Sequence, residues 1–177
     1  MKTMKLVHVV LATIALVGAT EAYADENGEN LLYVGVGAAK SGDPRKSSDK
    51  PMSVGYLKIS NASDTVWGAD FSGEGTKLES TGGRTAVKQA TAFNFLIGKN
   101  LNRGENSRFD AAFLVGIRTT SSTCPTSYLG YQCYADQPPT TSYGINYGVL
   151  ATLTYRSLML GVRATGESVQ GLVGFRF

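Results

Sequence analysis

Histidine is almost absent from this chain: the single one, His8, falls in an N-terminal stretch that reads as an export signal. Without an imidazole, a serine or cysteine nucleophile lacks its usual general base, which removes the common hydrolase and transferase arrangements. Serines and aspartates are present, but no spacing groups them into nucleophile, base and orienting residue. A catalytic carboxylate pair is the enzymatic alternative that remains. Cysteine is nearly as scarce. Cys124 and Cys133 form a lone pair with no histidine nearby and no zinc-binding spacing, so neither a metal nor a cofactor is expected. Long apolar runs are missing too. Beyond residue 24 nothing approaches the roughly 20 residues of a spanning helix, so that part is either soluble or crosses a membrane as a β-barrel. Basic residues are scattered rather than gathered, and the formal net charge is only +3, which is no signature of nucleic-acid binding.

What is present begins with a secretory pattern. Lys2 and Lys5 precede a mostly apolar stretch from Leu6 to Val17, and Ala22-Tyr23-Ala24 offers a small-x-small cleavage site. Residues 1–24 are therefore expected to be a cleaved signal peptide, and residues 25–177 a single mature domain. Removing Lys2, Lys5 and Glu21 with the signal takes the formal charge from +3 to +2. Glycine, at 21 residues, and the aromatics Tyr and Phe, at 9 and 7, are abundant.

Period-two alternation, the mark of a half-buried strand, recurs along the mature chain. Strands are expected at 31–40, 52–60, 65–73, 88–99, 109–118, 143–155, 158–164 and 168–177. The fifth alternates most cleanly, with Phe109, Ala111, Phe113, Val115 and Ile117 opposite Asp110, Ala112, Leu114, Gly116 and Arg118. The second is the least clearly faced. Residues 61–64 and 156–157 read as tight turns, and 100–107 as a polar turn. Asn61-Ala62-Ser63 is formally a glycosylation sequon, but turn chemistry accounts for it. Residues 41–51, 74–87 and 119–142 read as longer loops. The last carries both cysteines and Pro125, Pro138 and Pro139.

The closing stretch from Ser168 to Phe177 places Val169, Gly171, Val173, Phe175 and Phe177 on one parity and Gln170, Leu172, Gly174 and Arg176 on the other. It resembles the final strand of bacterial outer-membrane β-barrels, in which the terminal aromatic is read by the membrane assembly machinery. An even strand number, links that nearly alternate long and short, and apolar/polar dyads extend the likeness over the whole mature chain. The sequence as a whole resembles the small eight-stranded barrels of the OmpA/OmpX type. That resemblance implies an all-β, eight-stranded antiparallel transmembrane barrel in the bacterial outer membrane, with both termini periplasmic. It also implies contact with outer-membrane lipid and lipopolysaccharide, and a monomer.

Parity alone leaves the direction of the apolar face open, since a soluble lipocalin-like barrel would bury it. Two features favour an outward apolar face. Asp70, Asp110, Arg118, Arg163 and Arg176 share a side with the glycines, which suits a narrow polar lumen whose charges neutralise one another. Tyr143 and Tyr155 bracket the apolar face of the sixth strand, a span of about 28 Å at a tilt near 45°, enough to reach both edges of the ~25 Å apolar band.

Outer-membrane barrel enzymes that modify lipid A or cleave lipids and proteins use a histidine, which the mature chain lacks. A structural or surface-interaction barrel is therefore the leading expectation, a narrow porin-like pore the next, and a lipid-modifying enzyme the third. In an oxidising exported setting Cys124 and Cys133 are expected to form a disulfide, closing a ring of about ten residues. Tyr128, Tyr131 and Tyr134 then stand on or beside that ring, as contact residues for a surface ligand or phage, as mutual packing, or as a continuation of the outer aromatic girdle. Phe177 yields the first prediction: deleting it lowers the amount of assembled barrel in membranes of expressing cells, measured by heat-modifiable gel mobility, while synthesis continues.

Overall fold

The computed structural model describes residues 28–40, 50–74, 90–123 and 140–177. Eight strands follow one another in the chain: β1 (Gly28–Ala39), β2 (Met52–Ser60), β3 (Thr65–Gly73), β4 (Thr91–Arg103), β5 (Ser107–Thr123), β6 (Thr140–Tyr155), β7 (Leu158–Thr165) and β8 (Ser168–Arg176). Each pairs antiparallel with its sequence neighbours, and β8 pairs back onto β1, so the sheet closes into an up-and-down barrel without a free edge. This is the fold of the small eight-stranded OmpA/OmpX-type barrels. Closure runs to the last residue, where Phe177 and Asn30 exchange both backbone bonds at 3.0 and 3.1 Å.

Several boundaries differ from the sequence reading. β4 runs on to Arg103 and β5 starts at Ser107, so the turn expected over 100–107 shrinks to 104–106. β5 and β6 also lengthen at the other end, to Thr123 and Thr140, so both margins of the loop expected over 119–142 are strand. The chain there is polar and lacks apolar alternation, but ladder pairs such as Ser122 with Thr141 satisfy its backbone regardless of side chain. β1 likewise begins at Gly28, inside the expected polar lead-in. The expected signal peptide at 1–24, the cysteines Cys124 and Cys133, and the tyrosines Tyr128, Tyr131 and Tyr134 lie outside the described residues.

The stagger of the strands sets the width of the interior. Followed through ladder partners, the path from Asn30 passes Lys58, Trp67, Ile97, Phe113, Val149, Ala164 and Val169 and returns to β1 at Ala38, eight residues further on. An eight-stranded barrel with that stagger tilts its strands by about 36°. Its interior is only wide enough for side chains to fill.

The two parities face opposite ways on every strand. Phe113, Ile145 and Tyr143 are 71, 72 and 71% exposed, whereas Leu57, Arg163 and Gln170 are fully buried. The apolar face is therefore outside, and the mixed polar face fills the lumen. On β2, the strand with the weakest sequence signal, Ser53, Gly55, Leu57 and Ile59 point in and Met52, Val54, Tyr56 and Lys58 point out.

Short connections at 61–64 and 156–157 use residues in the left-handed region, Asp64 and Arg156, both at φ 54°. One inward glycine is required by close approach. Gly55 is the ladder partner of Tyr33, and a Cβ there would overlap the Tyr33 ring. Tyr33 lies over Gly55 and reaches the next strand, where its hydroxyl donates to Asp70 Oδ2 at 3.1 Å. Gly55→Ala is thus expected to lower the urea midpoint of the detergent-folded barrel. In a Tyr33→Ala background the same change should cost little, because the ring it displaces is gone. Equal losses in both backgrounds would refute this account.

Candidate functional site

Most charged side chains of the described strands point into the lumen, where they form two clusters and one further pair near the long-loop rim. The first surrounds Arg163 on β7. Its Nε donates to Asp70 Oδ2 at 2.8 Å, and its Nη2 donates to Glu74 Oε1 and Ser72 Oγ, each at 2.8 Å. The Arg163, Asp70 and Glu74 side chains have no solvent exposure. Polar neighbours complete the shell. Ser168 Oγ and Thr165 Oγ1 donate to Glu74 Oε2 at 2.7 and 2.9 Å. Asn94 donates to Asp70, and Asn146 Nδ2 donates to Asn94 Oδ1 at 2.8 Å. Tyr33, Gly55, Asp70, Asn94, Gly116 and Asn146 are successive ladder partners, so this chain of polar contacts follows one hydrogen-bonded row across six strands.

The second cluster lies at the short-turn end. Arg108 Nε donates to both oxygens of Asp110 at 2.8 and 3.0 Å, and Arg108 and Arg176 each reach Glu29 Oε2, at 3.2 and 3.3 Å. An apolar layer separates the clusters. Along β4, Leu96 lies between Asn94 and Asn100; along β5, Leu114 lies between Asp110 and Arg118; along β8, Leu172 lies between Gln170 and Arg176. Leu57 and Leu150 join the same buried set.

The five charges identified from sequence all stand on inward positions, but their partners differ from the simple balance of Asp70 and Asp110 against three arginines. Asp70 takes Arg163, Asp110 takes Arg108, and Arg176 takes Glu29. Arg118, near the long-loop rim, has its Nη1 2.9 Å from Glu167 Oε1, close enough for charge attraction though not aligned as a hydrogen bond. Sequence reasoning missed Glu74, Glu29 and Glu167 because each was assigned to a loop, lead-in or turn, and Arg108 because it fell between the turn expected at 100–107 and the strand expected at 109–118. All four continue the inward parity of an adjacent strand by a few positions, so extending the alternation past each expected strand end would have found them.

Around Arg163, carboxylates accept from the guanidinium and the hydroxyls of Ser72, Thr165 and Ser168 donate to Glu74. Ser53, the ladder partner of Ser72, keeps a buried hydroxyl without a hydrogen-bond partner. Among the described residues, no group of three or more His, Cys, Asp or Glu side chains is placed to hold a metal ion. Glu74, one residue past β3, shows the electrostatic balance. Burial pushes its carboxyl up, but the hydrogen bond and charge of Arg163, helped by Ser168 and Ser72, outweigh this and lower it to about 2.

Comparison with known proteins adds two solved structures, both of the Yersinia pestis outer-membrane protein Ail. The crystal structure of Ail, the attachment invasion locus protein, in complex with the heparin analogue sucrose octasulfate is 12% identical and has a TM-score of 0.44, with 85% of this chain and 99% of that chain covered. The backbone structure of Ail in a phospholipid bilayer nanodisc gives 12% identity, the same coverage and a TM-score of 0.41. No family model and no curated protein matches the chain.

Two predictions follow from the Arg163 cluster. Arg163→Met leaves Asp70 and Glu74 buried without their cation, a situation that typically costs about 3–5 kcal/mol. The expected result is a clear fall in the urea midpoint, with a much smaller fall for Arg176→Met, whose side chain is 30% exposed. The second concerns acid. A carboxyl held below its unfolded value stabilises the fold above that value, and the contribution disappears as pH drops through the folded value. For Glu74 the loss falls between about pH 4.5 and about 2. Glu74→Gln should flatten the acid dependence of the unfolding midpoint in that window, and an unchanged slope would contradict it.

Proposed function

We propose that the chain is a non-enzymatic barrel of the bacterial outer membrane that acts at the cell surface through its long connections. The observation that carries this reading is the inversion of the barrel: an exposed apolar wall around a lumen filled by paired charges and leucines. A soluble protein rarely exposes apolar patches beyond a few hundred Å². Here large apolar side chains are exposed on every strand, from Val36 on β1 and Trp67 on β3 to Val173 on β8. Among described strand residues facing outward, the charged ones are Lys58 and Lys99, both toward the short-turn end. Hydrocarbon is the solvent that suits such a wall, and a closed sheet satisfies every backbone group within it.

The orientation follows from the connections. The start of β1, the end of β8 and the turns at 61–64, 104–106 and 156–157 share one end of the barrel, which we assign to the periplasm after cleavage of residues 1–24. The connections between β1 and β2, β3 and β4, and β5 and β6 leave the other end, which we assign to the cell exterior. With the lumen filled, those connections are what the protein offers to a partner. In the one between β5 and β6, a Cys124–Cys133 disulfide would hold Tyr128 and Tyr131 in place with Tyr134 beside them, a constrained aromatic surface for another cell, a matrix component or a phage.

Three measurements test the proposal. The purified chain should fold only in detergent or lipid, with heat-modifiable mobility; a detergent-independent soluble fold would overturn the membrane assignment. In planar bilayers the wild type should give no steady large currents, and such currents would favour the pore reading instead. Changing both cysteines to serine, and separately the three tyrosines to alanine, should leave assembly intact while reducing surface binding or phage sensitivity. Unchanged surface phenotypes in both variants would show that this loop is not the contact surface.

A further inference from the structure

The outer wall is not uniformly smooth. A groove of about 550 Å³ runs across β4 to β7, a size within the ordinary range of small-molecule sites. Its floor is a row of direct ladder partners: Lys99 opposite Ala111, Ala111 opposite Ala151, and Ala151 opposite Val162. The next outward row toward the long-loop end, Ile97 with Phe113, rises above the alanines and forms one side of the groove. The dip exists because two alanines replace the bulky residues that occupy most of the wall.

Lys99 stands at the short-turn end of the groove floor, with Thr65 of β3 as its next ladder partner. It is exposed, points outward and makes no ion pair among the described residues. Arg103, further toward the turn, is already engaged by Asp64 at 3.2 Å. No acidic side chain faces outward from any described strand, so the groove has an apolar body and a cationic end.

We propose that this groove binds an anionic glycerophospholipid, with one acyl chain lying over Ala111 and Ala151 and the phosphate at Lys99. The proposal rests on the membrane reading above. Its chemistry follows from the two ends of the groove. Apolar surface in a bilayer gains nothing by merely meeting lipid, so selectivity must come from the headgroup. A basic residue beside an anionic membrane surface contributes about a fivefold preference. The aligned groove fixes where that headgroup sits, because a chain held along the alanine row brings its glycerol end to the short-turn rim.

Trp67, the sole tryptophan of the sequence, reports on this place. It is exposed on the outer face, and its ladder partner Ile97 lines the groove. The full chain is reconstituted in phosphatidylcholine bilayers, and Trp67 quenching is compared for dibrominated phosphatidylglycerol and dibrominated phosphatidylcholine at equal mole fraction. The expected result is an apparent preference for the anionic lipid of about fivefold. Lys99→Gln should bring it close to unity and Lys99→Arg should preserve it. Ala151→Leu, which fills the groove without altering charge, should also reduce it. Equal quenching by both lipids in the wild type, or a preference that survives Lys99→Gln, overturns the site. A preference lost with Lys99→Gln but untouched by Ala151→Leu overturns the groove. If neither brominated lipid quenches Trp67, it is the membrane reading that fails.

Discussion

Everything inside this protein answers to one constraint: eight strands closed with a stagger of eight residues leave no room in the lumen for bulk water. A charge placed there cannot rely on hydration and must find a partner within the barrel. Arg163 meets that demand with Asp70, Glu74 and Ser72, and Arg108 with Asp110 and Glu29. Between those two clusters the lumen is filled by Leu57, Leu96, Leu114, Leu150 and Leu172.

The same closure explains why the hydrophobic pattern is turned outward. In water, the residues on the outer wall would be driven together, and Phe93, Phe113 and Tyr147 could not remain exposed around a monomer without cost. Surrounded by acyl chains they lose nothing by exposure, while the polar lumen supplies the specific contacts that a lipid-facing surface cannot. Glycines serve both requirements. Gly55 lets the Tyr33 ring lie flat across the strand and reach Asp70, joining backbone closure to the polar network.

Strand number, antiparallel order and the division into two faces were legible in the sequence because a period of two is a local property. Phe109 to Arg118 needs no distant partner to declare which residues share a side. The ends of strands were less legible. The stretches from 119 to 123 and from 140 to 142 carry polar residues on both parities, and they are strands because each lies opposite the other, a relation invisible to either alone. For the same reason Glu74 and Arg108 were assigned outside the strands, although each continues the inward parity of its neighbour. The candidate lumen residues were thus legible as a set, and their pairing was not.

By itself, then, the order of residues determined how many strands there are, that each has two unlike faces, and that the charges share the glycine-lined face. Only the tertiary structure decided which carboxylate meets which arginine. Partners such as Arg163 and Glu74 lie 89 positions apart and come within 2.8 Å only after the sheet has tilted and closed. The groove beside Lys99 arose in the same way. Ala111 and Ala151 are ordinary outward alanines in sequence, and they become one hollow because the register of β5 on β6 sets them side by side. Local alternation is carried by neighbouring bonds, whereas pairing across a barrel depends on stagger, which is a property of the whole ring.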